Sequence, residues 1–268
     1  MQVFGSIKDE GRDFNFETIL DSERNYNNSE TFSFSNKRIF IYIDGTISKL
    51  SKEIDTLACS YDAIEEKIAY LYSINFNFES HICGSFNIFL FDFNTKELKI
   101  IRDSRGTRSL FYINNEKGFI FSSDQSILIN KIKNLTLNKK KLVEFLNWDY
   151  FSNNETYFNE IFRLEPHHFL IYRNNDLASE RYTLSKILFM ESSSKDTKQT
   201  FKRLLYHSVK SLTRKDKKVG VMLSGGLDSS AISIALKENN YDDVFTYSAN
   251  FHHVDDNKYM HESKYQEN

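Results

Sequence analysis

Apolar residues follow two different spacings along the chain, and the change falls near residue 190. Up to residue 185, short runs of aromatic and β-branched residues are separated by turn residues, which predicts a strand-rich domain. The predicted strands span residues 3–7, 32–34, 38–43, 85–92, 98–102, 110–113, 118–122, 162–164, 169–172 and 181–182. Residues 94–96 and 114–117 are predicted hairpin connections. Apolar residues at helical spacing predict helices at 62–75, 126–130 and 139–148.

The remaining chain predicts a second domain in which helix and strand alternate. Residues 186–196 include three consecutive serines and predict a linker, and Asp196 is a suitable N-cap for a helix at 197–212. An apolar run at 219–223 predicts a buried strand, followed by a helix at 231–238 and a strand at 244–250. We therefore expect one domain at 1–185 and another at 197–268. One face of the first predicted helix carries Phe201, Leu204, Leu205 and Val209.

Residues 219–230, VGVMLSGGLDSS, carry the strongest chemical signal in the chain. A predicted buried strand runs into two glycines and then into a helix, which leaves backbone N–H groups uncovered at a helix N-terminus. Serine hydroxyls add donors for anionic oxygens, and Asp228 places a carboxylate where a phosphate-bound Mg²⁺ would sit. The candidate binding residues are Leu223, Ser224, Gly225, Gly226, Leu227, Asp228, Ser229 and Ser230.

Two other interpretations of this motif compete with phosphate binding. The Walker phosphate loop requires a lysine directly after its last glycine, whereas Leu227 follows Gly226 here. A glycine turn between a strand and a helix, closed by a serine cap, remains open and predicts no ligand. The strand–loop–helix context of all seven residues favours phosphate binding.

The loop resembles the pyrophosphate loop of the ATP pyrophosphatase group, and most closely that of the asparagine synthetase family. Blocks at 84–92, 101–112, 121–124 and 163–170 are similar, in order and spacing, to blocks of the glutamine amidotransferase domain that precedes the synthetase domain in this family. The resemblance implies an α+β first domain of two stacked antiparallel sheets with flanking helices, N-terminal-nucleophile-hydrolase-like. It implies that the second domain begins an α/β ATP pyrophosphatase fold with ATP and Mg²⁺ as cofactors. Asp228 would then be a metal ligand, and Ala249, at the end of the second strand, would flank the adenine.

The amidotransferase-like domain lacks the family's nucleophile. In the family a cysteine follows the initiator methionine and its thiolate attacks the glutamine amide, whereas position 2 here is Gln2. The resemblance also places Asp44 and Gly45 opposite the Asn-Gly pair that forms the oxyanion hole, and a carboxylate there opposes a developing oxyanion. We therefore expect no catalytic residue and no glutaminase activity, as in the related β-lactam synthetases and lasso-peptide cyclases. A different start site is the alternative, although residues 3–5 already match the family's opening strand.

Composition and charge narrow the range of partners. A net charge of −2 and a pI near 6.4 give no electrostatic case for nucleic acid, and the basic run at 139–141 is expected to be a solvated helix start. No apolar run approaches about 18 residues, so we expect no membrane span. Cys59 and Cys83 are too few for a disulfide framework, and the first residues lack a signal peptide, so a cytoplasmic location is expected.

The synthetase resemblance continues to residues 261–265, and the sequence ends at Asn268. We therefore expect a C-terminally truncated synthetase domain, from an expression fragment, a split gene or a decayed paralogue. The leading hypothesis is an ATP-dependent amide-bond-forming ligase, or its N-terminal part, that works on a carboxylate substrate through an acyl-adenylate. A separate chain supplying the rest of the synthetase domain is a candidate partner. The alternative is a non-catalytic scaffold or partner protein derived from the family.

Overall fold

The computed structural model describes residues 2–8, 13–19, 29–34, 37–183, 196–213, 218–241 and 243–249. The chain divides into two compact units, Met1–Leu188 and Phe189–Asn268. Of the predicted features, the linker at 186–195 and the segment at 261–265 lie outside the described residues. In the part that is described, no helix is long and apolar enough to cross a membrane.

The described part of the first unit contains two antiparallel sheets. Their strands are β1 (Gln2–Lys8), β2 (Asp13–Ile19), β3 (Ser29–Phe34), β4 (Lys37–Leu50), β5 (Ile82–Asp92), β6 (Glu97–Arg102), β7 (Phe111–Asn115), β8 (Gly118–Ser122), β9 (Phe162–Arg163), β10 (His168–Arg173) and β11 (Asp176–Arg181). One sheet has the order β2-β1-β8-β7-β9, and the other has the order β11-β10-β6-β5-β4-β3. Every neighbouring pair of strands is antiparallel.

The two sheets pack face to face through aromatic side chains. Phe89 of β5 stacks on Phe121 of β8 with ring centroids 5.3 Å apart, and Tyr172 of β10 stacks on Phe119 of β8 at 5.0 Å. All four side chains are buried. Because each stacked pair joins strands of different sheets, the central core of this unit lies between the sheets.

Helices cover the outer face of each sheet. They are α1 (Lys52–Leu57), α2 (Ile64–Ser73), a 3-10 helix (Phe78–His81) and α3 (Gln125–Lys131), and a further helix, α4 (Lys139–Trp148), follows in the chain. Ile68 of α2 lies in one buried cluster with Leu90 of the six-stranded sheet, and Leu128 of α3 lies in another with Ile113 of the five-stranded sheet. The resulting helix–sheet–sheet–helix order confirms the predicted α+β, N-terminal-nucleophile-hydrolase-like class of the first domain.

Some elements of the first unit were predicted only in part or not at all. α1 and β2 have no counterpart among the predicted elements, because α1 buries a single side chain, Ile54, and the seven residues of β2 have only a short apolar pattern. The side chains of β11 are nearly all exposed, and β11 pairs with β10 through a two-residue turn in which Asn174 and Asn175 have φ of 53° and 62°. The β7–β8 connection is also shorter than predicted, because Asn114 and Asn115 pair with β8.

The basic run at the start of α4 is only partly solvated. Lys139 and Lys140 are exposed, whereas the Lys141 side chain is 2% exposed. The Lys141 ammonium lies 2.6 Å from Glu144 Oε2 and 3.4 Å from Glu155 Oε2. The prediction of a solvated helix start is therefore wrong for Lys141, because two carboxylates neutralise its charge in a buried position.

The described residues of the second unit form one β-α-β unit preceded by a helix. Its elements are α5 (Thr197–Leu212), β12 (Val219–Met222), α6 (Leu227–Glu238) and β13 (Val244–Tyr247). The Asp196 side chain accepts a hydrogen bond from Gln199 N–H at 3.1 Å, so the predicted N-cap of α5 is confirmed. β12 and β13 are parallel, with Val219 opposite Val244, which confirms the predicted β-α-β start of an α/β domain.

The burial predicted for β12 is observed only in part. Val221 is buried and Val219 half-buried, but Met222 is 72% exposed. α5 forms at the predicted helical spacing, yet it contains no buried residue, and Phe201 is 67% exposed. Parallel strands are buried when helices cover both faces of a wider sheet. The described residues of this unit supply only two strands and two helices, which leaves part of the sheet uncovered.

Candidate functional site

The strand-to-helix loop of the second unit is held by hydrogen bonds among its own residues. Ser224 Oγ lies 3.1 Å from Ser229 Oγ and accepts a hydrogen bond from Gly226 N–H at 3.2 Å. Ser229 Oγ donates in turn to Gly226 C=O at 3.2 Å. Gly225 has φ of +84°, a conformation that residues with a Cβ rarely adopt. These contacts and this glycine set the curvature of the loop.

The N-terminus of α6 has no side-chain cap. The N-cap residue is Gly226, which has no side chain to accept from the first-turn N–H groups, and Ser224 Oγ accepts only from the N–H of Gly226 itself. The N–H groups of Leu227, Asp228 and Ser229 form the first turn, where a helix offers them no carbonyl partner. The first bond back to the loop is from Ser230 N–H to Gly226 C=O, at 3.2 Å. Uncapped donors at the positive end of a helix dipole are suited to phosphate oxygens.

The predicted metal ligand stands alone. Asp228 is exposed in the first turn of α6. Among the residues described, no group of three or more His, Cys, Asp and Glu side chains could hold a metal ion. Mg²⁺ beside nucleotides is commonly held by one or two carboxylates together with phosphate oxygens and water, and a single exposed carboxylate is compatible with that role.

The other predicted residues meet at the carboxyl ends of the two strands. Leu223 N–H donates to Tyr247 C=O at 2.8 Å, and Ser248 Oγ donates to Leu223 C=O at 2.7 Å. Ala249 directly follows Ser248 and is exposed. Since the strands are parallel, the loop and the end of β13 share one edge of the sheet, the edge at which open α/β sheets bind ligands.

In the first unit, Gln2 lines a pocket of about 610 Å³. Its side-chain amide donates to the Asp124 carboxylate, which also caps α3 by accepting from Ser126 N–H at 2.8 Å. Val3 N–H donates to Ser123 Oγ at 2.7 Å. The start of β1 is thus fixed beside the first turn of α3, with an amide side chain at the position where the family carries its thiol.

Asp44 lies in the same pocket and is paired with Arg108. The Arg108 Nη1 atom lies 2.8 Å from Asp44 Oδ1, and the Asp44 side chain is 2% exposed against 39% for Arg108. Burial raises the pKa of the Asp44 carboxyl, and the Arg108 guanidinium opposes this rise. Gly45 has φ of +123°, and a Cβ there would collide with the Ser85 carbonyl and lie 2.6 Å from Arg108 Nε. A carboxylate–guanidinium pair therefore occupies the place predicted to oppose an oxyanion.

Arg108 is a pocket residue that the sequence reasoning did not single out. It ends a loop in which Asp103 accepts from Arg105 N–H at 2.9 Å and from Thr107 N–H at 3.1 Å. The buried Arg102 guanidinium donates from Nε to Arg108 C=O at 2.7 Å. The sequence does contain a signal for this pair. In the block at 101–112, Arg108 stands opposite a lysine of the family pattern, and a cation there can pair with a carboxylate at position 44.

Comparison with known proteins gives two family matches in the order of the two units. A model of the glutamine amidotransferase domain matches residues 64–183, and a model of asparagine synthase matches residues 200–268. Asparagine synthetase [glutamine-hydrolyzing] 1 of Bacillus subtilis is 23% identical over 243 residues, which is 87% of this chain. Both units of the chain are thus similar to the asparagine synthetase family. The first match begins at residue 64, so Gln2 and Asp44 lie outside it.

The chain spans 38% of the length of the B. subtilis protein. The asparagine synthetase [glutamine-hydrolyzing] of Pongo abelii is 28% identical over 186 residues, which are 64% of this chain and 31% of that protein. The amidase chry2 of Gibberella zeae is 25% identical over 173 residues, 62% of this chain and 25% of that protein. Among solved structures, a glutamine phosphoribosylpyrophosphate amidotransferase from B. subtilis covers 92% of this chain at 10% identity, and 59% of that structure is covered. Its TM-score of 0.39 is too low to support an argument.

Proposed function

We propose that this chain is an ATP-dependent amide-bond-forming ligase of the asparagine synthetase family, or the N-terminal part of one. The observation that supports the proposal is the uncapped start of α6 behind a loop with a glycine at positive φ. The N–H groups of the first turn and the positive end of the helix dipole meet there, and no side-chain cap hydrogen bond occupies these donors. The donors suit the oxygens of ATP, which is the first cofactor expected in this family, with Mg²⁺ as the second.

The proposed reaction has two steps. A substrate carboxylate attacks the α-phosphorus of ATP, which forms an acyl-adenylate as the bond to pyrophosphate breaks. An amine then attacks the acyl carbon, and AMP leaves. The N–H groups of residues 227–229 would hold the leaving pyrophosphate as negative charge moves onto it, Asp228 would hold Mg²⁺, and Ala249 would flank the adenine.

The first domain would contribute no ammonia from glutamine. Gln2 replaces the nucleophilic thiol, and its amide is bonded to Asp124. Asp44 offers a carboxylate at the predicted oxyanion position, where catalysis requires a hydrogen-bond donor. For this reason aspartate ranks below another carboxylate as the acyl substrate, and the amine would come from the second substrate or from free ammonia.

The exposed apolar faces of the second unit favour a further polypeptide partner. Met222 of β12 and Phe245 of β13 are 72% and 47% exposed, and Leu227 is 85% exposed. Large apolar side chains on both strands of a parallel sheet are normally covered. We infer that additional strands and helices of a synthetase domain, supplied by a separate chain or by a continuation of this one, cover these faces in the active ligase.

Nucleotide binding tests the proposal. Titration of isotope-labelled full chain with pyrophosphate, and with ATP with and without Mg²⁺, should shift the amides of residues 225–229 at millimolar concentration. Gly226→Val should abolish the shifts, because a branched side chain covers the donors. Asp228→Ala should keep the pyrophosphate response but lose the Mg²⁺ dependence of ATP binding.

Ile234→Val is the matched control, since Ile234 is 53% exposed on the same helix but away from its start. This variant should bind as the wild type does. If pyrophosphate leaves residues 225–229 unmoved, the loop is only a turn, and the ligase proposal gives way to a non-catalytic scaffold derived from the family.

A further inference from the structure

One face of α4 is fixed to the first unit. The Phe145 ring lies 5.5 Å from the Phe151 ring and 5.2 Å from the Tyr157 ring, centroid to centroid. The buried Lys141 ammonium lies 2.6 Å from Glu144 Oε2 and is held in place by this ion pair. An aromatic cluster and a buried charge therefore set the orientation of the helix, and its other face is a fixed surface.

The outward face of α4 is apolar and exposed. Val143 is 58% exposed and Leu146 is 73% exposed, and residues three apart are neighbours on a helix surface. Tyr150, which follows the C-cap residue, is 59% exposed. Contiguous exposed apolar side chains on a rigid element are typical of a surface that binds another molecule.

The charges at the two ends of α4 oppose the dipole of the helix. Lys139 and Lys140 are exposed in the first turn, at the positive end, and Asp149 is exposed at the C-cap, at the negative end. The helix has no acidic residue in its first turn and no basic residue in its last turn. Among the residues that the structure describes, none of these three side chains has an ion-pair partner. Each of these charges would be stabilised by an opposite charge from outside the unit.

We propose that the outward face of α4 binds the same face of a second copy of the chain, with the two helices antiparallel around a twofold axis. A twofold pair is self-complementary, so one contact fixes the register of all the others. With Val143 of one copy opposite Leu146 of the other, Lys140 comes opposite Asp149. One register thus joins the apolar residues to each other and each end to an opposite charge.

The antiparallel arrangement also removes the conflict with the helix dipole. Each Lys140 then lies at the negative end of the other helix, and each Asp149 lies at its positive end. The same register brings Lys139 of one copy to Tyr150 of the other, and an ammonium on a tyrosine ring is a favourable contact. A second copy turned by the twofold axis supplies what both ends require, whereas a uniformly acidic or basic partner suits only one end.

Size and charge predict a weak dimer. α4 has ten residues, and one pair of such helices buries less than about 1,200 Å², which is the range of transient complexes. A net charge of −2 produces little repulsion between two copies. We therefore expect association at micromolar concentrations. The inference does not rest on the proposed ligase activity.

Sedimentation velocity of the full chain over about 1–200 µM tests the dimer. The wild type should change from monomer to dimer as its concentration rises, and Leu146→Asp should weaken association at least about tenfold. Lys140→Glu and Asp149→Lys place like charges opposite each other in their own dimers, so each should associate at least about tenfold more weakly. An equimolar mixture of these two variants should regain wild-type association, because both contacts between the different variants join opposite charges.

Leu57→Asp and Lys117→Glu are matched controls, since they make the same changes at exposed positions of α1 and of the β7–β8 turn. Both should associate within about twofold of the wild type, and circular dichroism should show the wild-type fold in every variant. A monomer at every concentration would overturn the proposal. So would a dimer that Leu146→Asp leaves intact, because the contact would then lie on another surface. A mixture of Lys140→Glu and Asp149→Lys that associates no more strongly than either variant alone would overturn the antiparallel register, and the proposal with it.

Discussion

The Asp44–Arg108 pair should respond very differently to the loss of each partner. Asp44 is 2% exposed, so Arg108→Met leaves a buried carboxylate without its cation, whereas Asp44→Asn leaves a guanidinium that is 39% exposed and can be hydrated. Breaking a buried pair by removing one partner typically costs about 3–5 kcal/mol. We expect about 3 kcal/mol for Arg108→Met at pH 7, and about 1 kcal/mol for Asp44→Asn because water screens the remaining charge.

Protonation of Asp44 sets an upper limit on the stability lost in Arg108→Met. An unpaired Asp44 can take up a proton, and at pH 7 this costs at most about 4.4 kcal/mol relative to a carboxyl with the ordinary pKa of 3.8. At pH 5 the limit falls to about 1.6 kcal/mol. A carboxyl whose pKa is raised by folding favours the folded state below its unfolded pKa and loses that benefit as pH rises. The Arg108→Met variant should therefore recover stability as pH falls from 7 to 5.

Urea unfolding of wild type, both single variants and the double variant, followed by circular dichroism at pH 5 and pH 7, measures these values. The double variant should resemble Asp44→Asn, with a coupling energy of about 3 kcal/mol at pH 7. Equal costs for the two single variants, or a cost of Arg108→Met that does not change with pH, would refute a buried carboxylate dependent on one cation.

Three further outcomes follow from contacts in the first unit. Gln2→Cys should release no ammonia from glutamine above a buffer blank, because Asp44 remains beside the new thiol. The double variant Gln2→Cys with Asp44→Asn should release more ammonia than the single variant. Full glutaminase activity of the single variant would contradict the role given to Asp44. Gly45→Ala should lower the free energy of unfolding in urea by about 3 kcal/mol or more, because Gly45 has φ of +123° and its Cα lies close to the Ser85 carbonyl. Thr46→Ala, at an exposed neighbouring position, should lower it little. Equal losses in the two variants would contradict the close packing of Gly45 against Ser85. The hydrogen bonds from Lys141 and Ser152 lower the pKa of Glu144 to about 2, so this contribution to stability is present above the ordinary 4.5 and lost as pH falls towards 2. Between pH 5 and 2.5, the urea midpoint of unfolding should fall less in Glu144→Gln than in the wild type, whereas Glu116→Gln, at an exposed position, should follow the wild type. Identical pH profiles for the two variants would count against the ion pair.

Helices with a polar residue in front of an apolar pattern could be predicted closely from the sequence. α4 and α5 begin and end where the spacing of their apolar residues predicts, and both have side-chain caps. Asn138 Oδ1 accepts from Lys141 N–H at 3.2 Å, and Asp196 Oδ1 accepts from Gln199 N–H at 3.1 Å. These signals are local, so one sequence contains them. β11 was located only in part, because its exposed side chains carry no apolar pattern.

The residues of the pocket show where such reasoning stops. Asp44 could be singled out because a carboxylate stands where the family has an amide. Its pairing with Arg108 could not, because 64 positions separate the two residues and their meeting depends on a loop held by Arg102 and Asp103. In the second unit the glycine pair predicts the loop, but the true start of α6 at Leu227, four residues before the predicted 231, depends on which backbone conformation the loop adopts.

The glycine at the start of α6 places stability and binding in opposition. Aspartate or serine at position 226 would supply the missing cap and stabilise the helix by a few tenths of a kcal/mol relative to glycine. The same side chain would occupy the N–H groups of Asp228 or Ser229 and deny them to an anion. A substitution that stabilises this helix by capping it would thus make its N–H groups unavailable to a ligand. With glycine at position 226, the helix is less stable than with a capping residue, but its N–H groups remain available.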